Sequence, residues 1–145
     1  MLLQNKYNTI LTFLVLLLSV SLHAQSKWVV SQNGDGNYTT IQEAVDNTVD
    51  GDTVFVKSGV YKEHVTIIHS LFLIGENAET TVIDAQDTIK CIQVRIPPPT
   101  VGTKGLITNF SLINSGTGYT NNSGNCGIKL HGWHENNWDI INNIF

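Results

Sequence analysis

The sequence predicts an all-β solenoid, a parallel β-helix closed at its start by one short α-helix. Three observations carry this. A single amphipathic helix stands near the start of the chain's folded part, and a stack of coils needs such a cap because its terminal coil has no neighbour. The β-rich runs after it are very short, and several are apolar at consecutive positions, as in strands buried inside a stack. Asparagines recur in turns after apolar pairs, in Leu112-Ile113-Asn114 and Ile140-Ile141-Asn142-Asn143, where stacked coils align their amides. Many short strands with polar turns also suit a β-sandwich, which is the alternative fold.

The elements follow in order. Lys6 precedes an apolar run from Ile10 to Val20, and Leu22-His23-Ala24 ends on a small residue. That run is short of the roughly 20 residues a membrane span needs, and its flanks are those of a signal peptide. The expected organisation is therefore a signal peptide over 1–24 and one domain over 25–145, exported, with no membrane span after cleavage. Trp28-Val29-Val30 reads as a strand and Gln32 to Asn37 as a turn-rich loop. Thr40 is an N-cap with Glu43 three residues on, the spacing of a capping box. Ile41, Ala44 and Val45 make one apolar face. The helix is expected to end near Val49, before the Asp50-Gly51-Asp52 turn.

Short β-rich runs then repeat: Thr53–Val56, Val65–Ile68, Leu71–Ile74, Thr81–Ile83, Ile89–Ile96, Leu106–Ile113, Gly127–Leu130 and Trp138–Phe145. Turn residues separate them, including Ser58-Gly59, Gly75-Glu76-Asn77, Pro97-Pro98-Pro99 and the polar stretch Asn114 to Asn125. The last run is apolar and would leave an unpaired edge and an open core end, so the chain is expected to be a fragment or poorly soluble by itself.

The chain is 145 residues long with formal net charge −4, and only 14% of it is charged. Its eight lysines and arginines form no basic run, which argues against nucleic acid as a partner. Two cysteines, Cys91 and Cys126, have no metal-binding spacing. Export permits a disulfide between them, and a small buried core thiol is the simpler reading of Cys91.

One ordered series of motifs runs through the first part of the domain. It comprises Val29-Val30-Ser31-Gln32-Asn33-Gly34-Asp35-Gly36-Asn37-Tyr38-Thr39-Thr40-Ile41-Gln42-Glu43-Ala44-Val45, then Asp50-Gly51-Asp52-Thr53-Val54-Phe55-Val56, then Gly59-Val60-Tyr61-Lys62-Glu63-His64-Val65 and Leu73-Ile74-Gly75. This series resembles the N-terminal part of pectinesterases and other pectin-lyase-like proteins. The resemblance implies a right-handed parallel β-helix and a polysaccharide, pectin above all, as partner. It implies a lyase- or esterase-like activity, or a non-catalytic surface module that binds carbohydrate. Pectinesterases share a Gln-Ala-Val-Ala stretch whose Gln contributes to the substrate site. Asn125-Cys126-Gly127-Ile128 is the best-placed counterpart, with Asn125 where the Gln would stand and Gly127-Ile128 in place of Ala-Val. In the family the two catalytic Asp residues and the Arg come later. They would fall beyond Phe145, so the resemblance implies no catalytic residue in this chain.

Within that series the residue types suggest structural work. Gly59 suits a tight bend, and Gly75 ends a strand where a side chain would crowd the next coil. Tyr61 is expected to pack its ring at a coil edge and keep its hydroxyl wet. Glu63 reads as a turn or ion-pair residue rather than a catalyst. The substrate-contact candidates are His131, Trp133 and Trp138, from a polar loop with two flat rings, with Tyr119 on the long polar loop and Asn125. His131, His134 and Glu135 are not in the order of a helical metal motif. No cofactor is expected. Calcium is the one ion with a candidate pair, Asp84 and Asp87, for which turn formation is the simpler account.

Overall fold

The computed structural model describes residues 25–87, 90–96, 104–116, 126–131 and 138–145. The segment expected to be a signal peptide lies outside them. The elements are β1 (Lys27–Val30), α1 (Ile41–Asp46), β2 (Thr53–Val56), β3 (Gly59–Tyr61), β4 (Val65–Ile67), β5 (Phe72–Gly75), β6 (Thr81–Asp84), β7 (Lys90–Arg95), β8 (Gly105–Thr108), β9 (Ser111–Ile113), β10 (Cys126–His131) and β11 (Trp138–Ile141). They form three sheets, ordered β1-β2-β5-β8-β11, β3-β6-β9 and β10-β7-β4. From β2 onward the chain visits the three sheets in the same sequence on each round. Every strand pair among the described residues is parallel. The chain is all-β apart from one short helix, and the β-sandwich is removed, because sandwich sheets are antiparallel.

Strict register stacks like on like. Val54, Leu73 and Ile107 align across the first sheet. Tyr61, Ile83 and Leu112 align across the second, and Val65, Ile92 and Ile128 across the third. All but Ile128 are buried, and Ile128 packs against the same core. Each apolar side chain so buried contributes about 1.5–3 kcal/mol. The shortness of the strands follows from this geometry, because a strand ends wherever the chain must turn to the next sheet.

Three stretches differ from expectation, the last being Trp138–Phe145, whose strand ends at Ile141 before a turn at Asn142. Gly59-Val60-Tyr61 is a strand, not a bend, and the run Leu106–Ile113 is two strands with a corner at Asn109 and Phe110. Asn109 takes φ +64°, as Asn114 and Asn142 do at φ +52° and +54°; asparagine tolerates this left-handed conformation. The recurring asparagines thus turn the chain, and their partners lie in the preceding round. Asn143 accepts from the Phe110 N–H and donates to the Ile107 carbonyl, both at 3.0 Å. Asn114 donates to Asp84 at 2.9 Å. Gly75 is required by close approach: a Cβ there would stand 2.0 Å from the Asn109 carbonyl oxygen.

The helix begins at the predicted N-cap, with the Thr40 half of the expected capping box in place. Thr40 is extended, and its side chain accepts from the Glu43 N–H at 3.4 Å. Ile41, Ala44 and Val45 are buried. The helix ends at Asp46 rather than near Val49. Its first two N–H groups, of Ile41 and Gln42, both donate to the Glu63 carboxylate at 2.9 Å. Glu63 therefore satisfies donors that a helix start leaves without partners.

The outer edge of each sheet's first strand is covered by a side-chain amide. Asn37 pairs with Val29 of β1 through its side chain and its backbone, at 2.8 and 2.7 Å. Gln32 donates to the Val60 carbonyl of β3 at 2.8 Å. Gln42 mimics a strand against β4, accepting from the Thr66 N–H at 2.7 Å and donating to its carbonyl at 3.1 Å. At the far end the core-facing rows run out, and Leu130, Ile140, Ile144 and Phe145 are exposed.

Tyr61 corrects an expectation. It is buried, and its hydroxyl donates to the Lys57 carbonyl at 2.9 Å instead of meeting water. Burial, and then the nearby Glu63 charge, raises its phenol above the ordinary value. At Gly59 the reason for glycine is space: a Cβ would come within 2.8 Å of the Gln32 side-chain oxygen. Asp52 anchors the turn after the helix from a buried position. Its carboxylate accepts from the Ser26 N–H at 2.8 Å, the Val49 N–H at 3.2 Å and the Trp28 indole at 3.3 Å. Gly51, at φ +89°, makes that turn.

Candidate functional site

The third sheet (β4, β7, β10) carries the most chemically distinctive surface. Alternation along a strand sends neighbouring residues to opposite faces. In β7, Ile92 and Val94 are buried, which leaves Gln93 and Arg95 facing outward. In β10, Ile128 and Leu130 stand in register with Ile92 and Val94, so Lys129 and His131 share the outward face with Gln93 and Arg95. Thr66 of β4 extends the Gln93–Lys129 row. Two outward rows result, Thr66–Gln93–Lys129 and Arg95–His131, and neither contains a carboxylate.

The electrostatics agree with the geometry. Partial desolvation of the ring, and then the positive charges of Lys129, Lys90 and Arg95, hold the His131 imidazole below its ordinary value. Lys90 itself is mostly buried, and its carbonyl lies 2.5 Å from His64 Nδ1. His131, held as the neutral imidazole, is the one acid–base group on the described part of this face. The face offers fixed positive charge, one guanidinium fork and flanking hydrogen-bond groups, which suits holding an anion.

A groove lies at the corner after the first sheet. It is open, about 560 Å³ in volume, and lined by Glu76, Asn77, Ala78, Glu79, Asn109, Asn142, Asn143 and Ile144. The Glu76 carboxylate accepts from the Ser58 N–H and hydroxyl, both at 2.8 Å, and these bonds lower its pKa. With two carboxylates and no cation in its lining, the groove repels anions.

Of the sequence-based candidates, His131 lies on the basic face, exposed at the end of β10. Trp138 is half-buried in β11 and packs on the core, with its ring so close to Gly105 that a Cβ there would meet it at 2.4 Å. Tyr119, Asn125, Trp133, His134 and Glu135 lie outside the described residues. Asp84 accepts from the Gln86 N–H and from Asn114, both at 2.9 Å, and these bonds lower its pKa. Among the described residues no three His, Cys, Asp or Glu side chains come together as a metal site. Cys91 is buried with its sulfur 3.3 Å from the Ile113 carbonyl, and the register sets Cys126 beside Lys90. No helix among the described residues is long and apolar enough to cross a membrane. Arg95 and Lys129 were not singled out from the sequence. Each sits at a polar position between apolar neighbours, and only the pairing of β7 with β10 brings them together.

A family model described as Pectinesterase matches residues 27–126. A pectinesterase of Petunia integrifolia is 36% identical over 107 residues, which cover 69% of this chain and 28% of the relative. A probable pectinesterase/pectinesterase inhibitor of Arabidopsis thaliana is 44% identical over 64 residues, covering 37% of this chain and 11% of the relative. A second Arabidopsis thaliana protein, a probable pectinesterase, is 33% identical over 70 residues, covering 43% of this chain and 24% of the relative. The chain thus spans about a quarter or less of these relatives' own length. No solved structure matches it.

Proposed function

The chain belongs to the pectinesterase family, and from that premise we propose that it is the exported start of a right-handed parallel β-helix that acts on pectin-type polysaccharide. In this reading residues 1–24 are a signal peptide, and 25–145 form the cap and first coils, with α1 closing the stack. Chemistry of the esterase or lyase type resides on coils beyond Phe145. His131, Trp133, Trp138, Tyr119 and Asn125 are the contacts proposed for the polymer.

The observation that carries the proposal is the family match over residues 27–126, the stretch that also makes the repeated visits to three parallel sheets. Sheets of this kind stack coil on coil and leave long lateral faces for an extended polymer. The alternative reading is a non-catalytic module that binds carbohydrate at the cell surface. It is favoured by Asn125 and Gly127-Ile128 standing where the family has Gln and Ala-Val.

Chromatography on immobilised pectin and on immobilised cellulose tests the polymer class. The purified chain should be retarded on pectin and pass through cellulose. Equal behaviour on both columns would remove pectin as the ligand.

A further inference from the structure

We propose that two copies of this chain associate face to face through the outward side of the first sheet, in a weak dimer of two-fold symmetry. This goes beyond the polysaccharide reading and does not depend on it.

The pleat of the strands supplies the surface. Val30, Val54, Leu73 and Ile107 point into the core, so their neighbours along each strand point outward. Register sets these outward residues in two rows across the five strands. One row is Lys27–Thr53–Phe72–Leu106–Asp139, and the other is Val29–Phe55–Ile74–Thr108–Ile141. Val29, Phe55, Phe72, Ile74, Leu106 and Ile141 make the rows mainly apolar, and each of the six stays partly or fully exposed. Parallel sheets are ordinarily covered on both faces, and a contiguous apolar patch marks an interaction surface.

The charges choose the occupant. The first row begins on a cation, Lys27 of one edge strand, and ends on an anion, Asp139 of the other. Four strand spacings set them about 19 Å apart, too far to pair within one chain. A two-fold axis lying in the interface along β5 reverses the strand order of the second copy. Lys27 then faces Asp139 of the second copy, and Asp139 faces its Lys27. Phe72 meets Phe72, and Ile74 meets Ile74, at the axis. Such an isologous contact is self-complementary. A two-fold axis along the stack would instead set like charges on each other at both ends, so charge fixes the orientation. Lys27 already lies over the Phe55 ring at 4.6 Å, which holds its ammonium above the apolar rows. The face measures about 19 by 13 Å, less than a standard interface, so the dimer should dissociate at about 0.1 mM.

The test is sedimentation equilibrium of the protein expressed from all 145 residues. A monomer–dimer equilibrium near roughly 0.1 mM is expected. K27D and D139K each turn two attractions per dimer into repulsions, and each should weaken association about tenfold. An equimolar mixture of these two variants restores opposite charges at both ends of the heterodimer. Its affinity should return to within about threefold of the parent. I74D sets two carboxylates together at the axis and should abolish the dimer. The control K62D should change association less than about twofold. Circular dichroism verifies that each variant is folded. A chain that stays monomeric up to about 0.5 mM would overturn the proposal. So would a mixture that associates no better than its two components. Association through the far end, where Leu130, Ile144 and Phe145 are exposed, would show itself by indifference to the charge reversals, and that result overturns it too.

Discussion

Replacing Glu63 by alanine should destabilise the folded chain more than any other half-exposed substitution in its first round. In the structure its carboxylate accepts the N–H groups of Ile41 and Gln42 at 2.9 Å each. A helix only six residues long has few internal bonds, so its start depends on outside acceptors. A hydrogen bond to a charged acceptor is worth about 1.5–3 kcal/mol, and partial exposure of Glu63 lets water recover a share of that. About 1–1.5 kcal/mol for each bond gives a total near 2–3 kcal/mol for E63A. E63Q keeps one amide oxygen as acceptor and should lose about 1 kcal/mol. The assay is urea unfolding of the chain from residue 25, followed by circular dichroism. E63A should shift the midpoint down with the slope unchanged. A loss below about 0.5 kcal/mol, or equal losses for the two variants, would refute the reasoning, because the helix start would then not depend on this carboxylate.

Three further outcomes are expected. Gly75→Ala should cost about 3 kcal/mol or more, or prevent folding, since its Cβ would collide with backbone at 2.0 Å; urea unfolding measures it. Asp52→Asn should cost about 2 kcal/mol at neutral pH by weakening three hydrogen bonds. Burial pushes the Asp52 carboxyl up, but its hydrogen bonds and His69 outweigh burial and leave the pKa below 3.8. Its contribution is therefore complete above the unfolded value near 3.8 and is lost as pH falls through the lower folded value. The stability gap between parent and variant should hold from about pH 7 to 5 and narrow below that range. Gln42→Ala uncovers the Thr66 N–H and carbonyl on the edge of β4, which should cost about 1–2 kcal/mol and increase light scattering through edge-to-edge pairing.

Local chemistry was legible in the sequence. Thr40 and Glu43 announced the helix start, and Ile41, Ala44 and Val45 its buried face, because these effects act within one turn. Thr53–Val56 was read with its observed bounds. Gly75 was read correctly from the crowding expected at a strand end. The rest depended on partners distant in sequence. Glu63 meets the helix across 21 and 22 residues, and Gln42 meets Thr66 across 24, so no window along the chain could show either. The strand Gly59–Tyr61 is too short to display a period. The corner within Leu106–Ile113 was hidden because Phe110 at the bend is itself buried. The basic face was invisible for a similar reason, as Arg95 and Lys129 become neighbours only through the register of β7 and β10.

We propose that this chain holds a pectin-type polymer and that the chemistry that modifies it resides on later coils. Methanol release from highly methyl-esterified pectin by the purified 145-residue chain tests it directly. No release above the protein-free blank is expected, whatever the pH. Sustained, enzyme-dependent release would contradict the account and place the reacting groups within these residues.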